Sequence, residues 1–148
     1  MYKHILVPTD GSRLSARAIR AACALAQTCG AKITGVYVVP PYVPPIYAEG
    51  MIYVADLGPQ RHKELMAKAA RKALAAVGAE ARRAGVACAT AAPLAAQPWE
   101  GILKTARARR CDLIVMASHG RRGIAGLLLG SETTKVLTHS KTPVLVCR

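Results

Sequence analysis

Five short apolar runs alternate with segments of helical period along the whole chain, and this alternation limits the fold more than any other feature. His4–Val7, Ile33–Val39, Val86–Ala92, Leu113–Met116 and Pro143–Cys147 are rich in β-branched or small residues, and none shows the polar alternation of a strand with one wet face. Strands of this kind are buried on both faces, and strands alternating with helices pair in parallel through crossover helices. The chain of 148 residues has room for one such domain, without a linker or internal repeat.

The connecting segments carry helix punctuation. Pro8 stops the first run, and Thr9-Asp10-Gly11-Ser12 supplies a turn and a helix cap. Ala18, Ala21, Ala22 and Leu25 then recur at helical spacing until Gly30. A longer helix is predicted over Gln60–Ala84, with Met66, Ala70, Ala73, Val77 and Ala81 on its apolar face. Pro98 suits the first turn of a third helix, and Ser131–Thr138 forms a fourth. Pro40–Pro59 has no period and reads as a long loop, a length that is usually functional. With no Phe among the residues, the core has to be built from small side chains packed closely.

The 21 Lys and Arg against 8 Asp and Glu give a net charge of +13 and make polyanions the first partners to weigh. The cations are spread along several helices: Arg13, Arg17 and Arg20, then Lys68, Arg71, Lys72, Arg82 and Arg83, then Arg107, Arg109 and Arg110. Without zinc-finger spacing or an aromatic-rich RNA-binding strand, nucleic acid is not the expected partner. Cys23, Cys29, Cys88, Cys111 and Cys147 show no metal-ligand spacing, and their odd number with no signal-like start predicts a reduced, cytoplasmic protein using cysteine as a small core residue. No run reaches the roughly 18 apolar residues of a membrane span, so no membrane role is expected.

The stretch with chemistry in it runs from Ala117 to Ser131, between a buried strand and a helix. At such a junction backbone N–H groups and the helix dipole converge on an anion, and glycine lets the main chain approach a phosphate. A Walker A loop needs Lys after its last glycine, but Ser131 follows Gly130. A dinucleotide fingerprint follows the first strand, whereas Gly120, Gly123 and Gly126 follow the fourth and are spaced differently.

Four motifs in this order resemble the universal stress protein family across essentially the whole chain: Ile5-Leu6-Val7-Pro8-Thr9-Asp10-Gly11-Ser12, Ser118-His119-Gly120-Arg121-Arg122-Gly123, Leu128-Leu129-Gly130-Ser131 and Pro143-Val144-Leu145-Val146. The ATP-binding branch of that family carries a loop G-x2-G-x9-G-[S/T]; Gly120, Gly130 and Ser131 match its later part, and Ala117 stands in place of its first glycine. The resemblance implies one universal stress protein domain over 1–148, an open five-stranded parallel sheet of order 3-2-1-4-5 with helices on both faces, Rossmann-like and adenine nucleotide alpha hydrolase-like. By the same resemblance Pro8, Thr9 and Asp10 line the adenosine side of a crevice, with the Val38 backbone on the adenine edge. Ala117, Ser118, His119, Gly120, Arg121, Arg122 and Gly123, with Gly130, Ser131, Glu132 and Thr133, wrap ribose and phosphates. The ligand implied is an adenine nucleotide, ATP before ADP or AMP, with Mg²⁺ accompanying the phosphates and Asp10 a possible ligand of it. A homodimer through Pro143–Cys147 is implied as well.

No motif that activates water or a hydroxyl is present, so no catalytic residue is assigned and the expectation is a stress-response regulatory protein that holds its nucleotide. A slow ATPase closed by the Pro40–Pro59 loop, and a nucleotide-free interaction protein of the same fold, are the alternatives. Asp10 as a plain helix cap, and Gly120 and Gly130 as plain turn residues, are the corresponding readings without a ligand.

Overall fold

The computed structural model describes residues 1–44, 58–120 and 129–148. The strands are β1 (His4–Pro8), β2 (Lys32–Val36), β3 (Cys88–Ala91), β4 (Leu113–Ala117) and β5 (Val144–Cys147). The helices are α1 (Arg13–Cys29), α2 (Gly58–Arg83), α3 (Pro98–Ala108) and α4 (Ser131–His139). All strands pair in parallel in the order β3-β2-β1-β4-β5. β1 and β4 are therefore neighbours at the point where the winding changes direction.

Alternation along the central strands sorts the core into two layers. Ile5, Val7, Ile33, Leu113 and Val115 pack against Ile19, Ala22, Cys23 and Ala26 of α1 and Val77 and Ala81 of α2. Leu6, Val36, Ile114 and Met116 face the other way, onto Ile102, Leu103 and Ala106 of α3 and Val136 of α4. Small residues set the spacing between layers: a Cβ on Gly35 of β2 would stand 3.0 Å from Cγ1 of Val77 on α2. Not every cysteine follows the core expectation, because Cys23 and Cys111 are buried whereas Cys88 is exposed on the edge strand β3.

β2 ends sooner than its apolar run, at Val36, yet the chain keeps bonding beyond it: Tyr37 N–H donates to Ala91 O at 3.1 Å and Val39 N–H to Pro93 O at 2.8 Å. α1 begins at Ser12, whose hydroxyl accepts from Ser15 N–H at 3.1 Å, and ends at Gly30 with φ 65°. The mirror-image backbone there suits glycine. α3 starts with Pro98 in its first turn.

The amino ends of β1 and β4 are clamped by Asp112, whose carboxylate accepts the Lys3 and His4 N–H groups at 2.8 and 2.9 Å. Burial opposes its charge, but those N–H donors prevail and hold the carboxyl below its ordinary value. His4 Nε2 lies 2.8 Å from the Thr34 hydroxyl; burial, and then the Lys32 cation, push the imidazole below its ordinary 6.5. The unfolded chain then takes up a proton that the folded chain refuses, so stability falls as the pH drops below about 6.5. Thermal unfolding from pH 7.5 to 5 should show a falling midpoint in the wild type and a flatter profile in His4→Gln.

Candidate functional site

Where β1 ends, the chain turns across the top of the sheet through a set of side-chain to backbone bonds. Thr9 N–H still pairs with Val36 O at 2.9 Å, while its hydroxyl accepts from Gly11 N–H and lies 3.1 Å from the Ser15 hydroxyl. Asp10 Oδ1 accepts from Ser12 N–H at 2.9 Å, an Asx turn, and Gly11 follows at φ 79°. The cap of α1 is thus Ser12 rather than Asp10. The other carboxylate oxygen faces the second half of the crevice: a Cβ on Gly120 would stand 2.7 Å from Asp10 Oδ2. Asp10 and Gly120 therefore sit side by side although 110 positions separate them.

β4 leaves the sheet with Ala117 on the α1 side, in the same alternation as Leu113 and Val115. Ser118 N–H donates to Cys147 O at 2.7 Å, and Ser118 O accepts from Gly130 N–H at 2.7 Å. That second bond brings the start of α4 against the end of β4. A Cβ on Gly130 would lie 3.2 Å from Ser118 O and 3.3 Å from His119 Cα, so glycine is favoured here by close approach of the backbone, its φ of −71° being ordinary. Gly130 is the cap residue of α4 and offers no side chain to the first-turn N–H groups. Ser131 is exposed there, whereas Thr133 is buried with its hydroxyl on Ala117 O at 3.0 Å. His119 Nδ1 lies 3.2 Å from the Ser118 hydroxyl, and its Nε2 is buried without a hydrogen-bond partner among the described residues.

Glu132 has a different occupation from the one its position in the motif suggests. Its Oε2 accepts the Trp99 N–H at 2.9 Å, neutralising the amino end of α3, and its Oε1 accepts from Lys135 Nζ at 3.1 Å. Trp99 in turn stacks on His139, ring centroids 4.7 Å apart. Nothing in the spacing along the chain signals this link between α3 and α4, because it joins residues 33 positions apart.

At the far side of the crevice, the alternation of β2 decides where Val38 points. Ile33, Tyr37 and Val39 donate toward β3, whereas Lys32 N–H and Val36 O bond toward β1. Val38 is in phase with the second set, and by then β1 has already turned away at Thr9. Its N–H and C=O thus face the crevice, with no hydrogen-bond partner among the described residues. Its side chain is held on the opposite side by Gly101: a Cβ there would lie 2.7 Å from Val38 Cγ1.

The structure therefore brings Pro8, Thr9, Asp10, Val38, Ala117, Ser118, His119, Gly120, Gly130, Ser131 and Thr133 to the carboxyl end of the sheet, around the β1/β4 junction. Arg121, Arg122 and Gly123 lie outside the described residues, as do residues 45–57 of the Pro40–Pro59 loop. Among the described residues, no group of three His, Cys, Asp or Glu side chains is placed to hold a metal ion.

An open, doubly wound sheet with a crevice at its switch point defines an α/β class that takes ligands at the carboxyl ends of its strands. The universal stress protein family model matches residues 1–148, and the chain belongs to that family. A universal stress protein of Thermus aquaticus is 34% identical over 152 residues, with all of both chains covered. Universal stress protein MJ0531 of Methanocaldococcus jannaschii is 33% identical over all of this chain and 83% of its own length. Among solved structures, UspA from Lactobacillus plantarum matches with a TM-score of 0.78 at 26% identity, covering 99% of this chain and 98% of its own. A universal stress protein in complex with cAMP matches with a TM-score of 0.70 at 27% identity, covering 99% of this chain and 97% of its own.

Proposed function

We propose that the chain is a stress-response regulatory protein that binds an adenine nucleotide, ATP with Mg²⁺, in the crevice between β1 and β4, and holds it rather than turning it over. The observation that carries this reading is a pair of backbone ends on one crevice that have no partner among the described residues: the Val38 N–H and C=O on one side, and the α4 amino end, with Gly130 as its cap residue, on the other. An adenine edge presents one donor beside one acceptor, which a single residue's N–H and C=O match. A phosphate matches exposed N–H groups at a helix start. The solved relative in complex with cAMP supports the same ligand class.

In this reading Val38 selects the base, Thr9 and Asp10 hold the ribose, and Gly120, Gly130 and Ser131 receive the phosphates, with Ser118 and His119 beneath them. Arg121 and Arg122 add charge. Glu132 and Thr133 contribute backbone N–H groups, since their side chains are bonded elsewhere. Asp10, directly or through water, would hold the accompanying Mg²⁺, which would neutralise phosphate charge. Ala117 replaces a motif glycine without filling the crevice, because its methyl lies on the α1 side of β4.

Calorimetric titration with ATP, ADP and cAMP, with and without Mg²⁺, tests the ligand; a flat titration with all three nucleotides contradicts the reading. A phosphate-release assay on the same sample distinguishes holding from turnover. Release at more than a trace rate would make the protein a slow ATPase.

We further propose a homodimer through Pro143–Cys147, which includes β5, an edge strand with Leu145 43% exposed. Pro143 O and Cys147 O bond toward β4, so the alternate residues Val144 and Val146 present N–H and C=O to the open edge. Val146→Pro removes one edge donor without breaking a bond to β4 and should convert the dimer to monomer in light scattering; an unchanged mass places the interface elsewhere.

A further inference from the structure

The cations that lie far apart in the sequence are collected by the fold. α1 and α2 pack side by side on one face of the sheet, through Ile19, Ala22, Cys23 and Ala26 of one and Val77 and Ala81 of the other. With those faces buried, 100° per residue turns Arg13, Arg17 and Arg20 of α1, and Lys68 and Lys72 of α2, away from the core. All five are exposed. α1 contains no acidic residue. The acidic residues of α2, Glu64 and Glu80, are taken up by Arg61 and Arg83 of the same helix. The five outward cations have no carboxylate partner among the described residues.

We propose that the outer face of α1 and α2 is a docking surface for the phosphate backbone of duplex nucleic acid, read without regard to sequence. Two helices packed about 8–10 Å apart set the cations in two rows, and a duplex carries one negative charge per about 1.7 Å of its length. The complementarity of charge is dense, and no carboxylate among the described residues of the face competes with it. Single strands are not the target, because neither helix carries a Phe, Tyr or Trp for bases to stack on. An anionic bilayer fits less well, since the outward rows hold no large apolar anchor beyond the 36% exposed Leu65. The proposal is independent of the nucleotide crevice.

The test is fluorescence anisotropy with a labelled, random-sequence 20-base-pair duplex between 50 and 200 mM NaCl. If about five phosphates are neutralised, the slope of log K against log salt is about −4.5 and affinity falls roughly 500-fold across that range. Arg17→Gln/Arg20→Gln/Lys68→Gln/Lys72→Gln should lower affinity at 50 mM at least 100-fold and flatten the slope to about −1. Lys104→Gln/Arg107→Gln/Arg109→Gln/Lys141→Gln, which removes equal charge away from α1 and α2, should change affinity less than about fivefold, with folding of both variants verified by circular dichroism. Equal losses in the two variants would mean that overall charge acts without a site, and overturn the proposal. So would an undetectable wild-type complex at 50 mM, a tenfold preference among duplex sequences, or binding to phosphatidylserine vesicles without binding to the duplex.

Discussion

Gly130→Val should abolish nucleotide binding while leaving the chain folded. A Cβ placed on Gly130 would meet Ser118 O at 3.2 Å and His119 Cα at 3.3 Å, closer than ordinary contact, and valine adds two methyls beyond it. Both contacts are backbone, so relief comes only by moving the start of α4 away from β4, which breaks the 2.7 Å bond from Gly130 N–H to Ser118 O. The phosphate then loses the amino end of α4 and its partial positive charge. We expect at least a 100-fold loss of affinity by calorimetry, beside a stability loss of about 1–3 kcal/mol from overpacking. Affinity within threefold of the wild type would show that the phosphates do not sit at α4.

Gly101→Ala acts on the opposite end of the crevice. In an exposed helix the change would stabilise by about 1 kcal/mol. Here the new methyl lands 2.7 and 2.8 Å from the two Cγ atoms of Val38, and 3.3 Å from Ala95 Cβ. Val38 is β-branched and cannot swing aside without cost, so its backbone has to shift, carrying the N–H and C=O with it. A net destabilisation of about 1–3 kcal/mol is expected, with weaker adenine nucleotide binding. Val38→Ala added to Gly101→Ala restores the space, and a double-mutant cycle should show coupling of at least about 0.5 kcal/mol. Strict additivity would mean that the two residues do not constrain one another.

The strands and helices were legible because each rests on local signals: β-branched runs, Ser12 and Gly30 at the ends of α1, Pro98 at the start of α3; their order in the sheet came from the family resemblance alone. β3 was the weakest expectation, and its run of seven shrinks to Cys88–Ala91, since alanine carries no strand preference of its own. The crevice was legible only through family motifs. What the motifs could not convey is which polar groups remain available within it. Glu132 is spent on Trp99 and Lys135, and Thr133 on Ala117, through bonds across 33 and 16 positions that no periodicity encodes. Nor does the sequence show that the arginines of α1 and the lysines of α2 lie on neighbouring helices, since two helices far apart along the chain share one face of the sheet.

Thermal unfolding with and without ATP and Mg²⁺ decides whether the crevice takes a nucleotide. A ligand at about 100 times its dissociation constant adds roughly 2.7 kcal/mol. For a domain of this size that raises the midpoint by about 5–10 °C. Such a rise is expected for the wild type and none for Gly130→Val. An unmoved wild-type midpoint at millimolar ATP and Mg²⁺ would contradict it.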